Sequence, residues 1–193
     1  MKLLFATHNE HKVQEIRAIL GDKVQVVSLA DLGDFEEIPE TGETLEENAL
    51  IKARTAFARH KLPCFADDTG LEVCSLGGEP GVRSARYAGE EHNSARNRAK
   101  LLHELAAQDD RKARFRTVVA LIYRDEEHLF EGEVRGEISD KEEGNSGFGY
   151  DSIFRPEGFK DTFAGMDPEE KNRISHRARA IQSLATFLDH QLQ

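Results

Sequence analysis

The sequence predicts an α/β fold built on a mixed sheet, and three observations carry that expectation. The first half alternates short apolar runs with stretches whose apolar residues recur at helical spacing. The second half opens with two long runs of alternating apolar and polar residues joined by an acidic turn. A glycine-rich loop then leads into two further helical stretches. A helix-rich half followed by a hairpin excludes a regular doubly wound array, whose sheet would be parallel throughout.

The 193 residues suffice for one domain, or one domain in two lobes, with a real core. Hydrophobic residues make up 38% and charged residues 32%, the balance of a globular rather than a disordered chain. A formal net charge of −10 argues against a nucleic-acid or membrane-surface partner, so any nucleotide is expected in a local basic site with metal help. Cys64 and Cys74 suggest neither a disulfide scaffold nor a zinc site. No apolar run reaches the ~20 residues of a membrane span, and Met1 to Ala6 is too short for a signal peptide, so a cytoplasmic location is expected.

Leu3 to Ala6 predicts the first strand, and Val13, Ile16, Ile19 and Leu20 predict a helix that Gly21 ends. Between them lies Thr7-His8-Asn9-Glu10-His11-Lys12, in which Thr7 and Glu10 have capping-box spacing and Asn9 is the alternative cap. This loop reads either as a phosphate seat at a helix N-terminus or as a capped surface helix with a solvated lysine. Val24 to Val27 predicts a second strand, followed by an acidic run from Asp31 to Glu47. Such a run is ordinarily a solvated face, but Pro39 and Gly42 bracket Glu40 and make it the positioned carboxylate of the set.

Thr44 and Glu47 cap a helix from about Leu45 to His60, with Ala49, Ala53, Ala56 and Phe57 inward and Asn48 and Lys52 along it. After Pro63, Cys64 to Ala66 reads as a strand that stops at Asp67-Asp68-Thr69-Gly70, and Leu71 and Val73 resume as another. Two carboxylates and a hydroxyl at a break are either a turn or a site. Arg83, Arg86 and Tyr87 follow a tight loop as surface residues or anion contacts. Asn93 or Ser94 caps a helix with Ala95, Ala99, Leu102 and Leu105 or Ala106 on one face. Arg114 to Tyr123 is a strand with Phe115, Thr117, Val119, Leu121 and Tyr123 on one side, Asp125-Glu126-Glu127 is the turn, and Leu129 to Val134 returns.

Gly144 to Asp151 matches neither a Walker A loop nor a dinucleotide fingerprint. Its glycines let backbone N–H groups approach a ligand, with Phe148 either flat against a base or tucked into the core. Asp167 and Pro168 start a helix carrying Lys171, and Ser175-His176-Arg177 opens the last helix, whose buried face is Ala178, Ile181, Leu184, Ala185 and Leu188.

Taken together, Glu40, Asp67 and Asp68 are hard oxygen ligands of the kind Mg2+ takes, and Lys12, Lys52, Lys171 and Arg177 are cations for a polyphosphate. In order along nearly the whole chain, Thr7 to Lys12, Glu40-Thr41-Gly42 with Glu47-Asn48-Ala49 and Lys52-Ala53, Ala66 to Leu71, Gly81 with Ser84 to Tyr87, Gly147 to Asp151, and Lys171 with Ser175-His176-Arg177 resemble the successive motifs of the inosine/xanthosine triphosphate pyrophosphatases, also called dITP/XTP pyrophosphatases. The resemblance implies a single domain over residues 1–193, with two α/β lobes around a long mixed β-sheet with flanking helices and the substrate in the cleft between them. It implies hydrolysis of ITP, dITP and XTP to the monophosphate and pyrophosphate, with one Mg2+ per subunit, in a homodimer. By matching motif, Asp68 is the general base and a metal ligand, Glu40 a metal ligand and Thr69 a substrate contact. Thr7, His8, Asn9, Glu10, His11, Lys12, Lys52 and Lys171 would hold the triphosphate, and Phe148, Gly149, Tyr150, Asp151, His176 and Arg177 the nucleoside. Thr69 stands where a serine is common, which keeps the hydroxyl, and Ser152 where a proline is common, which is expected to loosen its loop.

Two rival readings use the same residues. A Maf-like pyrophosphatase would act on other nucleotides, which a substrate panel separates. A non-enzymatic interaction module would use the Asp31 to Glu47 run as its contact surface and would need neither Asp68 nor a metal.

Overall fold

The computed structural model describes residues 1–21 and 24–191, and the chain divides into two compact units. Unit 1 comprises Met1–Asp68, Thr117–Gly132 and His176–Gln193; unit 2 comprises Thr69–Arg116 and Glu133–Ser175. Each has its own apolar core.

In unit 1, strand β1 (Lys2–Phe5) pairs in parallel with β2 (Gln25–Ser28) and with the start of β3 (Cys64–Val73). The register places Phe5 opposite Phe65, and their rings stack with centroids 4.5 Å apart. Full burial of each ring contributes about 1.5–3 kcal/mol. Helix α1 (Glu10–Leu20) turns Val13, Ile16 and Leu20 inward, and the Asn9 side chain accepts the Lys12 N–H. Asn9 rather than Thr7 is therefore the cap, since the Thr7 hydroxyl accepts the Asn9 N–H instead. Thr44 caps helix α2 (Leu45–His60) by accepting the Glu47 N–H. The last helix, α5 (His176–Gln191), buries Ala178, Ile181, Leu184 and Leu188 as its periodicity predicts.

In unit 2, the end of β3 pairs antiparallel with the short β4 (Pro80–Gly81). Gly70 lies so close to the backbone of Gly81 that a Cβ would stand 2.7 Å from its oxygen. Helix α3 (Ser94–Glu104) packs Leu101, with Leu105 just beyond it, into a core that includes Leu71, Val73, Phe115, Phe154 and Phe163. Strand β5 (Lys112–Tyr123) and β6 (Glu126–Ile138) supply residues to both units, and β6 pairs antiparallel with β7 (Phe154–Pro156) within unit 2. Helix α4 (Pro168–Ile174) starts at the Asp167 cap, whose side chain accepts the Glu169 N–H. Among the described residues the strands bond in the order β2-β1-β3-β5-β6-β7, with β4 on β3, so the sheet is mixed as expected.

Three local expectations change. Strand β3 runs unbroken through Asp67, Asp68 and Gly70, because both carboxylates are buried against cations rather than exposed in a turn. On α3, Ala95 and Ala99 are exposed and the inward positions are Asn97 and Leu101. The amide of Asn97 outcompetes alanine for that face by accepting the Ala88 N–H at 2.7 Å and donating to the Ala85 carbonyl at 2.9 Å. The β5–β6 turn is only Arg124-Asp125, both at positive φ (53° and 62°), a two-residue geometry that matches strand twist and leaves Glu126 and Glu127 in β6. Among the described residues, no helix is long and apolar enough to cross a membrane.

Candidate active site

The central feature of unit 1 is a charge cluster that four elements assemble around Asp67 and Asp68. Successive side chains on a strand point to opposite faces, so the two carboxylates meet different partners. Asp67, 2% exposed, accepts from Lys12 Nζ at 2.9 Å and from Arg177 Nε at 3.1 Å. Asp68 accepts from Lys52 Nζ at 3.0 Å and from Asn48 Nδ2 at 3.3 Å. Lys52 also donates to Glu40 at 2.7 Å, so one ammonium joins the two carboxylates that the sequence singles out as metal ligands.

Local sequence explains each placement. Asn48 and Lys52 are four residues apart on α2 and share a face. Glu40 is held by the segment behind it: the Gly42 N–H donates to Asn48 Oδ1 at 2.8 Å. A Cβ on Gly42 would stand 2.7 Å from Glu47 Cβ and 2.8 Å from that oxygen, so only glycine fits this approach. Lys12 and Arg177 lie in the first turns of α1 and α5. Arg177 is 3% exposed and also bonds Glu15.

These contacts push the adjacent aspartates in opposite directions. Burial would raise Asp67, but the Lys12, Arg177 and Lys52 charges outweigh it and hold the carboxyl well below its usual range. Burial raises Asp68, the Lys52 charge offsets that only in part, and Glu40 adds repulsion. Burial also lowers Lys12, while Asp68, Glu40 and Asp67 outweigh burial at Lys52 and raise it. The cluster thus holds one firmly ionised carboxylate beside one with raised basicity, the division of labour that separates an electrostatic group from a general base.

Unit 2 holds a second cluster. Gly144 to Asp151 is closed on itself, as Asp151 Oδ2 accepts the Phe148 N–H and Lys171 Nζ, each at 2.8 Å. Lys171 Nζ lies 5.2 Å from the Phe148 ring centroid. Phe148 is half-buried rather than in the core, whereas Tyr150 is buried and donates to the Ser84 carbonyl at 2.7 Å. Ser152, where a proline is common, bonds Glu142 through its hydroxyl at 3.0 Å.

Of the residues predicted for the triphosphate, Lys12 and Lys52 join the Asp67–Asp68 cluster and Lys171 joins Asp151 and Phe148. Asn9 caps α1 and the Thr7 hydroxyl accepts the Asn9 N–H, His8 Nε2 meets the Asp34 carbonyl oxygen at 2.9 Å, and Glu10 and His11 lie on the exposed first turn of α1. Of those predicted for the nucleoside, Phe148, Gly149, Tyr150 and Asp151 belong to unit 2, while His176 and Arg177 open α5 in unit 1. Thr69 follows Asp68 on β3 and is half-buried. Asp67, grouped above with the oxygen ligands, spends an oxygen on each of two cations. Sequence reasoning gave no role to Asn48 or Glu15; the spacing of Asn48 from Lys52 was the signal available for the first.

A family model described as the Ham1 family matches residues 3–187. The chain is 54% identical over 188 residues to the dITP/XTP pyrophosphatase of Porphyromonas gingivalis, covering 97% of each. It is 50% identical to the dITP/XTP pyrophosphatase of Christiangramia forsetii, over 97% of this chain and 99% of the relative. Among solved structures it resembles the Staphylococcus aureus Ham1 protein with a TM-score of 0.88 and 39% identity, over 99% of this chain and 100% of that one.

Proposed function

The chain belongs to the Ham1 family, and on that premise we propose that it hydrolyses dITP, ITP and XTP or dXTP to the nucleoside monophosphate and pyrophosphate, keeping these purines out of DNA and RNA. The observation that carries the chemistry is the Lys52 ammonium shared between Glu40 and Asp68, next to an Asp67 whose charge is fixed by Lys12 and Arg177.

Asp68 takes the proton of a water that attacks the α-phosphorus, and the α–β bridging oxygen leaves with pyrophosphate. Its raised pKa suits that task. Lys52, held cationic by its carboxylates, and Lys12, oriented by Asp67, meet the phosphate oxygens as charge spreads onto the leaving group. Glu40 and Asp68 fit a hard divalent ion: both already present oxygens to one cation, and oxygen is the ligand Mg2+ prefers. Among the described residues no three acidic, His or Cys side chains form a cage, so the ion would complete its shell with water and phosphate. When bound, it supplies charge neutralisation at the phosphate oxygens.

At the nucleoside end, inosine and xanthosine carry an acceptor oxygen at purine position 6 where adenine carries a donor amino group. A site of donors left facing another donor discriminates on the order of 10²-fold. Phe148 to Asp151 supply an aromatic face and backbone donors for this part of the substrate, and Lys171, bonded to Asp151, is kept as a cation for the triphosphate. A guanidinium at Arg177 that reads the base would do so while holding or exchanging Asp67 and Glu15. The protein works as one functional domain, in a cytoplasmic homodimer with one Mg2+ per subunit; that part rests on the resemblance, and light scattering tests the dimer. The deciding experiment is pyrophosphate release from ITP, dITP, XTP, GTP and ATP with and without Mg2+. A preference for ATP overturns the assignment.

A further inference from the structure

Within unit 2 the glycine-rich loop is held by a side chain that lies outside it. Arg98, on α3, donates from Nη1 to the Gly149 carbonyl at 2.8 Å, and its Nε lies 3.1 Å from Glu142 Oε2. The same Glu142 oxygen accepts the Ser152 hydroxyl. Arg98 and Ser152 thus meet on one carboxylate, which aims the guanidinium at the loop. The adjacent Arg98 guanidinium, with the Ser152 hydroxyl, also holds the Glu142 carboxyl below its usual range.

Gly149 needs such a hold. Its φ is +61°, and among the described residues nothing beyond its chain neighbours lies within 4 Å of where a Cβ would stand. No steric wall therefore fixes this glycine, which accepts either sign of φ at little cost. The orientation of the Gly149–Tyr150 peptide is left to what its carbonyl bonds. In a trans peptide the N–H opposes the C=O, so a carbonyl turned to α3 aims the Tyr150 N–H away from α3. The other anchors flank this peptide without bonding its carbonyl: the Asp151 N–H donates to the Phe148 carbonyl at 3.1 Å across the turn, which leaves the central peptide able to flip, Tyr150 fixes its ring through Ser84, and the Asp151 side chain ties Phe148 and Lys171.

We propose that Arg98 is a positioning residue for nucleoside binding: by holding the Gly149 carbonyl it keeps the Phe148 to Asp151 backbone in its binding conformation. The inference rests on the reading above that this loop meets the nucleoside. Without Arg98 the peptide samples other orientations, and apparent affinity falls by the fraction of loops that remain competent.

The test compares wild type, Arg98→Ala and Arg98→Lys by kcat and KM for ITP, by inhibition constants for inosine monophosphate and for inorganic pyrophosphate, and by melting temperature. For Arg98→Ala, KM for ITP and the inhibition constant of the monophosphate rise about tenfold, the change expected when only about a tenth of the loops stay competent. Its kcat stays within about twofold and pyrophosphate inhibition does not move, because the loop orders binding without joining the phosphoryl transfer. Arg98→Lys restores part of the loss, since an ammonium reaches one of the two acceptors but not both; should the alanine variant fail to fold, the same split is read in the lysine variant. Unchanged monophosphate inhibition, or equal weakening of monophosphate and pyrophosphate, overturns the proposal. A wild type that does not hydrolyse ITP defeats the underlying functional reading instead.

Discussion

Replacing Asp68 by Asn separates catalysis from stability in one residue. The change keeps the shape and removes the charge, and its structural cost can be worked from the contacts. Asp68 uses one oxygen for Lys52 and the other for Asn48, and Asn48 cannot turn its amide because its own oxygen holds the Gly42 N–H. An asparagine would give its oxygen to Lys52 and set its amide against Asn48, losing a 3.3 Å bond worth about 1 kcal/mol. Against this, the Asp68 pKa is raised in the fold, so at neutral pH its ionised form weighs against the native state and neutralisation relieves that burden. Lys52 retains Glu40 at 2.7 Å. The melting temperature should therefore stay within about 4 °C of wild type, roughly 1 kcal/mol for a chain of this size. Loss of the base should lower kcat/KM for ITP about 10²–10⁴-fold, equivalent to ~2.7–5.5 kcal/mol of transition-state stabilisation. Pyrophosphate release and thermal melting on the same preparation decide the matter. Activity within about tenfold of wild type, a loss of no more than ~1.4 kcal/mol, would refute the base assignment.

Three further perturbations follow from the same contacts. Gly42→Ala forces the segment carrying Glu40 off α2, at an overpacking cost of about 1–3 kcal/mol; kcat/KM should fall at least about tenfold, whereas a variant with wild-type kinetics would show that Glu40 does not need that approach. Asp67→Asn leaves Lys12 and Arg177 short of their shared anion, so wild type should melt higher at neutral pH. Because the Asp67 pKa is depressed in the fold, that advantage should be constant from pH 7 to pH 5 and shrink as pH falls below ~3.9, the unfolded value; a gap that widens in acid contradicts the assignment. Lys12→Ala and Lys171→Ala should each weaken binding of the triphosphate more than of the monophosphate product, since both are proposed to meet oxygens that the product lacks; equal weakening of the two ligands in calorimetry would place these lysines elsewhere.

The elements that sequence periodicity defined best were those whose burial is a matter of one apolar face. The Ala178, Ile181, Leu184 and Leu188 stripe of α5 and the Val13, Ile16 and Leu20 stripe of α1 are buried as spaced. Misreadings arose where a polar side chain is buried against distant partners. Asp67-Asp68-Thr69-Gly70 has turn composition, and partners far along the chain, Lys12 and Arg177 at 55 and 110 positions from Asp67 and Asn48 and Lys52 at 20 and 16 from Asp68, make it tenable inside a strand. Hydropathy likewise pointed α3 inward along Ala95 and Ala99, because nothing local reveals that Asn97 finds backbone partners between Ala85 and Ala88. Motif order named most members of the clusters, but it could not say that Arg177 would be spent on Glu15 and Asp67.

The unbroken course of β3 also decides what the adjacent carboxylates can do. Two aspartates in a turn can converge on one ion, and their shared repulsion would raise one pKa at the expense of the other. On a strand the pleat sends them to opposite faces, so each bonds a different set of partners although the lysine charges are felt by both. Asp67 meets cations on both oxygens and stays ionised, which suits it to orient Lys12. Asp68 shares its one lysine with Glu40 and is left the more basic of the two. The proposal of Asp68 rather than Asp67 as the base is thereby supported by backbone geometry and by the unequal supply of bonded cations to the two carboxylates.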